Sequence, residues 1–270
     1  MTIQQVIDRI LNYSTGEMRI SPTCDQLIAG DPSAEVTGIV VTFMATVDVV
    51  RKAAEVGANF IITHEPTWFS GKDTPDWCSQ DSVYLAKRRL LDETGVTIWR
   101  YHDHMHAAGY DLIYKGMEQK LGWSCYRMPS DGFARVYDIP PCTLEQLAAQ
   151  MKQTLHMEQI QVIGNAQQTV RRALLLVGGG SLGLGVEEMP MQVMEKWNCD
   201  VMLCGDITEW TTCAYIRDAV QLGMNKSMVK LGHNRSEEGG MEYMTQWLPD
   251  LIDHCCPVQF VESGEPFSYL

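Results

Sequence analysis

Short apolar runs alternate with helical patterns along most of the 270 residues, and this alternation constrains the fold more than any other sequence feature. A β-branched run at 36–42 precedes a helical pattern at 47–56, and a second apolar run follows at 60–63. Strand–helix–strand order is typical of parallel sheets, because a parallel connection needs a long crossover. The sequence therefore predicts an α/β fold.

The alternation is interrupted once, which bears on domain organisation. Residues 122–138 have a mixed, turn-like composition, and Thr143 then has the character of a helix N-cap. Strand and helix patterns resume beyond it, so two α/β layers in tandem with mostly parallel strands fit best. We place the first domain at residues 1–130, completed by 225–270, and the second at 131–224.

Charge and cysteine usage exclude several classes of protein. The chain has 21 basic and 34 acidic residues, and a net charge of -13 disfavours binding to nucleic acid or anionic lipid. No apolar run approaches the roughly 18–20 residues that a membrane-spanning helix needs. Nine cysteines without a CxxC pair indicate reduced thiols in a cytoplasmic protein. We expect neither a nucleic-acid nor a membrane partner.

Three polar clusters follow predicted strands, where α/β sheets bind their ligands. In the first, His64 and Glu65 come directly after the run 60–63, and Pro66 ends the strand. An adjacent histidine and glutamate can supply one nitrogen and one oxygen to neighbouring metal ions. The alternative is a polar strand end that meets solvent.

The second cluster contains His102, His104 and His106, three of the seven histidines of the chain within five residues. In extended geometry the three side chains would lie on one face, which suits metal coordination. We expect a ligand or catalytic role for this cluster.

The third cluster contains His233 and Glu237, four residues apart after a predicted strand. Ser236 is the expected N-cap of a helix beginning at Glu237. A capping box would need Glu or Gln at position 239, where the chain has Gly239, so capping does not account for Glu237. The pair can share a metal ion; alternatively, Glu237 is a first-turn acid favoured by the helix dipole.

Together the clusters provide imidazoles and carboxylates without a thiolate, a donor set that suits Zn, Fe, Mn, Ni or Co. Two ions bridged by a carboxylate would acidify a bound water and stabilise a tetrahedral centre. Gly178, Gly180 and Gly183 formally match a dinucleotide-binding motif. Because Gly185 and Pro190 delay the following helix, a closely packed turn is favoured over nicotinamide binding.

In their order and spacing, the clusters resemble the Nif-three-like family of dinuclear-metal-centre proteins, often labelled GTP cyclohydrolase type 2 homologues. The resemblance spans nearly the whole chain and rests on segments 30–32, 61–66, 101–102, 204–207 and 232–237. It implies two related α/β domains, a metal site in the cleft between them, and assembly into a toroidal homo-hexamer.

Two departures from the family pattern fall on ligand positions. The family usually has His-His-Pro where this chain has a glutamate at 65, and an aspartate where this chain has a histidine at 106. One site loses an imidazole and gains a carboxylate, and the other does the reverse. The resemblance then implies two divalent ions per chain, with the ligands His64, Glu65, His106, His233 and Glu237.

The predicted function is hydrolysis of an amide, cyclic amidine, ester or phosphate bond in a small molecule by a hydroxide held on the metals. Candidates for acid–base catalysis are His102, His104 and, if it is not a ligand, Glu65. Candidates for the substrate pocket are Trp68, Asp103 and Trp210; the family tends to have histidine at the last position. The alternative is a metallochaperone or metal-storage protein without turnover.

Overall fold

The computed structural model describes residues 1–130, 133–182 and 189–270; Gly183 and Gly185 of the predicted motif lie outside them. The chain forms two compact units. The first contains Met1–Gly116 and Gly240–Gly264, and the second contains Met117–Gly239 and Glu265–Leu270. Each unit has a five-stranded sheet within the described residues, mostly of parallel strands, so the predicted fold class is confirmed.

The sheet of the first unit has the strand order β1-β4-β3-β2-β10, in which only β1 is antiparallel to its neighbour. Its strands are β1 (Leu27–Ala29), β2 (Ile39–Thr42), β3 (Phe60–Thr63), β4 (Thr97–Arg100) and β10 (Val258–Phe260). The helices that begin in this unit's first segment are α1 (Ile3–Thr15), α2 (Val47–Glu55), α3 (Ser82–Thr94), α4 (Asp103–His106) and α5 (Leu112–Leu121).

Residue type explains why these segments adopt their structures. Strands β2, β3 and β4 are buried along their whole length, as expected for central parallel strands covered on both faces. Helices α1 and α2 begin after Thr2 and Thr46, whose hydroxyls accept hydrogen bonds from first-turn N–H groups. In β3 and β4, Thr63 pairs with Arg100, so the chain leaves both strands at the same level of the sheet.

The sheet of the second unit has the order β5-β7-β8-β9-β6, with β7, β8 and β9 parallel and both edge strands antiparallel. Its strands are β5 (Arg135–Thr143), β6 (Gln161–Ile163), β7 (Thr169–Leu176), β8 (Val201–Cys204) and β9 (Ser227–Lys230). The following helices are α6 (Leu144–Thr154), α7 (Pro190–Lys196), α8 (Ala214–Gln221) and α9 (His233–Leu251).

Several boundaries differ from the sequence analysis. Strand β9 pairs with β8 and β6 and so lies in the second sheet, whereas the sequence pattern predicts that residues 225–270 complete the first domain. Residues 135–143 form an edge strand that begins inside the segment 122–138, which was expected to be irregular. The N-cap predicted at Thr143 is confirmed by a capping box with Gln146.

The described part of the chain contains no helix that combines the length and the apolar character needed to cross a bilayer.

Candidate metal site

Three histidines of the first unit gather beyond the carboxyl ends of β3 and β4. His64, His102 and His106 can each offer a ligand atom within 4.8 Å of the others. The ring centroids lie 4.5 Å apart for His64 and His102, and 5.1 Å apart for His64 and His106. The edge of the sheet predicted to carry the site is therefore where these imidazoles meet.

The backbone at 103–106 is helical, so the extended geometry predicted for this segment is wrong. His102 directly precedes α4, and His106 ends it. Residues four apart share one side of a helix, whereas the residue midway between them points elsewhere. His102 and His106 are consequently brought together, and His104 is not.

Hydrogen bonds at Nδ1 fix how the rings of His64 and His106 are oriented. His64 Nδ1 lies 3.1 Å from the backbone oxygen of Tyr101, and His106 Nδ1 lies 2.9 Å from Oδ2 of Asp111. A carbonyl oxygen only accepts, so His64 must carry its proton on Nδ1, and a carboxylate favours the same tautomer in His106. The lone pair of each neutral ring is then on Nε2, as metal-binding histidines usually have it.

Asp103 orients His102 in the same way, with His102 Nδ1 3.0 Å from Asp103 Oδ1. The carboxylate also accepts hydrogen bonds from the Thr23 hydroxyl and from the backbone N–H and the thiol of Cys24. The hydrogen bond from His102 is the main reason why the pKa of Asp103 lies far below its usual range. Asp103, predicted to line a substrate pocket, thus holds a catalytic candidate in place.

Glu65 is held against this histidine group by Arg100. The guanidinium of Arg100 donates from Nη2 to Glu65 Oε2 at 3.1 Å, and from its other nitrogens to the carbonyls of His64 and Gly71. The second carboxylate oxygen of Glu65 is 3.7 Å from His102 Nε2. Arg100 was missed by the sequence analysis, because an arginine ending a buried strand carries no motif.

His104 is buried on the other side of α4 and uses both ring nitrogens locally. The backbone N–H of Ile20 donates to Nε2 at 3.1 Å, and Nδ1 donates to Oδ2 of Asp25 at 2.7 Å. This placement supports a structural role for His104 and does not support the predicted acid–base role.

In the second unit, His233 and Glu237 lie on the first turn of α9. His233 Nε2 is 3.2 Å from Glu237 Oε2, and its Nδ1 is 2.7 Å from Oδ2 of Asp206, which follows β8. The helix begins at His233, so the predicted cap at Ser236 is wrong. The hydroxyl of Ser236 instead accepts a hydrogen bond from the N–H of Gly178 and donates one to the carbonyl of His233.

Two glycines bring the loops after β7 and β8 close to this pair. Gly178 has a φ of +49°, and an added Cβ would lie 2.0 Å from Glu237 Oε1 and 2.9 Å from His233 Nε2. A Cβ on Gly205 would lie 2.3 Å from the carbonyl oxygen of Gly178. Both positions require glycine, because a side chain at 178 would collide with the carboxylate and imidazole, and one at 205 would collide with the backbone of Gly178.

The two predicted aromatic pocket residues have opposite environments. Trp68 is 1% exposed and belongs to the hydrophobic core of the first unit, where its ring packs edge-on against Tyr84. Trp210 is 81% exposed, on a π-helical turn in the second unit. Trp68 therefore anchors the loop after His64 to the hydrophobic core of the first unit.

The donor atoms fit divalent metal ions. His64, His102 and His106 present oriented imidazoles beside the carboxylate of Glu65, and all four hold positions set by hydrogen bonds. In the second unit a smaller set, His233 with Glu237, lies against Gly178, whose missing side chain makes room for the Glu237 carboxylate. Imidazole and carboxylate together suit first-row divalent ions.

Fold and site together define a class of protein with two α/β units, each carrying imidazoles and carboxylates at the carboxyl ends of its parallel strands. The family model described as Duf34/NIF3 (NGG1p interacting factor 3) matches residues 1–265. The chain belongs to this family.

Relatives and solved structures agree with this assignment. A Clostridium perfringens protein named GTP cyclohydrolase 1 type 2 homolog is 22% identical over 254 residues, covering 90% of each chain. A Bacillus cereus protein related to NIF3 is 16% identical with a TM-score of 0.75, covering 100% of this chain and 99% of its own. A hypothetical protein of Staphylococcus aureus is 20% identical with a TM-score of 0.74 and the same coverage. The structural similarities establish a shared fold.

Proposed function

We propose that this chain is a divalent-metal-dependent hydrolase of small molecules. One observation carries the proposal: His64, His102, His106 and His233 all have Nδ1 hydrogen-bonded to an oxygen acceptor. Such partners orient the ring and raise the basicity of its other nitrogen, an arrangement typical of metal-binding histidines. His104 has the same kind of Nδ1 contact, but its Nε2 accepts the N–H of Ile20, so it is not among the proposed ligands.

The proposed ligands are His64, Glu65 and His106 in the first unit and His233 and Glu237 in the second, for two divalent ions per chain. When bound, such ions would supply Lewis-acid activation of water and of the bond to be cleaved. Asp111 and Asp206 orient two of these ligands, and their carboxylates favour binding by raising imidazole basicity.

His102 is the proposed acid–base group. Its Nδ1 donates to Asp103, whose ionised carboxylate stabilises a protonated imidazole. Its Nε2 is 3.7 Å from Glu65 Oε1, close enough for a proton to pass between them with a small adjustment. Arg100 holds Glu65 in position, so Glu65 serves as a ligand or, alternatively, as the general base.

The substrate class remains broad: an amide, cyclic amidine, ester or phosphate bond. The name of the Clostridium perfringens relative, GTP cyclohydrolase 1 type 2 homolog, favours cyclic amidines of nucleotide type as the first compounds to test. A cytoplasmic location and a homo-hexameric assembly remain part of the proposal, and sedimentation of the purified protein would test the latter.

The test is a substrate screen with metal-depleted protein reconstituted separately with Zn, Mn, Fe, Co and Ni. Turnover that requires metal and falls at least about 100-fold in His102→Gln, with the affinity of the five proposed ligands for their ions unchanged, would support the proposal. A loaded protein that turns over no compound, but transfers its metal to a metal-free acceptor protein, would contradict it and favour a metal carrier.

A further inference from the structure

Cys24 lies beside His102 and Asp103. The thiol of Cys24, an imidazole nitrogen of His102 and a carboxylate oxygen of Asp103 lie within 4.8 Å of one another. Cys24 Sγ is 3.3 Å and His102 Nδ1 is 3.0 Å from the same oxygen, Asp103 Oδ1. Two donors thus converge on one carboxylate oxygen.

The backbone holds these three residues in place. Oδ1 of Asp25 accepts the backbone N–H groups of both His102 and Asp103 at 2.7 Å, which fixes the segment 24–25 against the start of α4. The backbone N–H of Cys24 donates to Asp103 Oδ2 at 2.8 Å. A site built on such supports needs little rearrangement to bind an ion.

We propose that Cys24, His102 and Asp103 form an additional site for a thiophilic divalent ion, of the class of Zn²⁺, Co²⁺ or Cd²⁺. A thiolate, an imidazole and a carboxylate are the donors that these ions accept together, whereas Mn²⁺ and Mg²⁺ avoid the sulfur. The side chains of His102 and Asp103 are 26% and 29% exposed, so the remaining coordination positions face solvent.

Protons and charge balance when an ion enters. The Cys24 thiol proton leaves to solvent, and the proton on His102 Nδ1 moves to Nε2, the nitrogen that faces Glu65 Oε1. Before binding, the three groups carry the single negative charge of Asp103. Afterwards a thiolate and a carboxylate neutralise one divalent ion, so no net charge is left in the partly buried site.

This site uses different donors from the proposed hydrolase ligands, and His102 connects the two. An ion on Nδ1 would place a proton on Nε2 and so change the acid–base state of the proposed catalytic imidazole. The additional site therefore gives a thiophilic metal a direct means of altering the reaction.

The experiment is a titration of metal-free protein with Co²⁺, followed by near-ultraviolet absorption, where thiolate-to-cobalt charge transfer is seen. Wild-type protein is expected to develop this band. The Cys24→Ser variant is expected to lack the band and to bind one fewer ion. Cys125→Ser, which changes an exposed cysteine of the second unit, is the matched control and should keep the band. His233→Ala should also keep the band, because it removes only a proposed hydrolase ligand. Loss of the hydrolase site and loss of the additional site are therefore distinguishable.

A fully loaded wild-type protein without the band, or a Cys24→Ser variant that keeps it, would overturn the proposal. Circular dichroism checks that the variant is folded. A second measurement needs no variant: mass spectrometry of iodoacetamide-treated wild type should show Cys24 protected by Cd²⁺ and not by Mn²⁺. Equal labelling with both ions would also contradict the site.

Discussion

Replacing Gly178 by alanine tests whether position 178 is glycine because a side chain there would displace the proposed metal ligand Glu237. The added Cβ would lie 2.0 Å from Oε1 of Glu237, so the carboxylate must move. Glu237 is buried and 3.2 Å from His233 Nε2, and a displaced carboxylate no longer meets the imidazole. We expect the effect on metal binding to exceed the effect on folding.

The two effects can be estimated separately. A residue with a side chain at a φ of +49° costs about 1–2 kcal/mol of unfolding free energy. Changing the partner of a metal ligand typically lowers metal affinity roughly 10–100-fold, and moving the ligand itself should cost at least as much. Gly223→Ala is the matched control, because Gly223 has a φ of +78° with nothing within 4 Å of an added Cβ.

The assays are urea unfolding of the metal-free proteins and calorimetric titration with Zn²⁺. Both variants should lose unfolding free energy, Gly178→Ala by more because buried Glu237 must also move, and only Gly178→Ala should bind Zn²⁺ more weakly. Equal Zn²⁺ affinity in the two variants would refute the idea that Gly178 is glycine for the sake of Glu237.

Three further predictions concern the first unit. Arg100→Leu should lower the unfolding free energy by about 3–5 kcal/mol in urea, because it leaves the carboxylate of Glu65 without its guanidinium; a loss below about 1 kcal/mol would count against this ion pair. Asp111→Asn should weaken Zn²⁺ binding by His106 roughly 10-fold in calorimetry, while unchanged affinity would show that the orientation of His106 does not matter. Burial lowers the pKa of Lys87 from 10.5 to about 8. Between these values the unfolded chain binds a proton that the folded protein lacks, so stability should rise from pH 8 to 10.5 by about 3 kcal/mol relative to Lys87→Met; parallel pH profiles would contradict it.

The sequence was sufficient to predict the α/β class because buried parallel strands are continuous apolar runs. The runs that became β3, β8 and β9 stand out, and each is followed by polar residues. The edge strands β5 and β6 were missed, since they are short or partly exposed and their composition resembles that of loops.

The sequence was sufficient to identify the histidines and glutamates of the candidate site, but it predicted only part of their arrangement in space. The spacing of His102, His104 and His106 fits either a strand or a helix, and the short helix α4 decides which two share a face. The partners of the ligands were invisible, because Asp111 and Arg100 are common residue types whose roles depend on tertiary packing. Asp206 lay in a recognised motif, yet its contact with His233 needed the structure.

The most direct test of the account is the metal content of untagged protein, measured by plasma mass spectrometry for the wild type, His106→Ala and His233→Ala. We predict close to two ions per chain in a Cys24→Ser background, which removes the additional site, and a clear loss when His106→Ala or His233→Ala is introduced into it. Wild-type protein that contains no metal, and takes up none when divalent ions are added, would contradict the account.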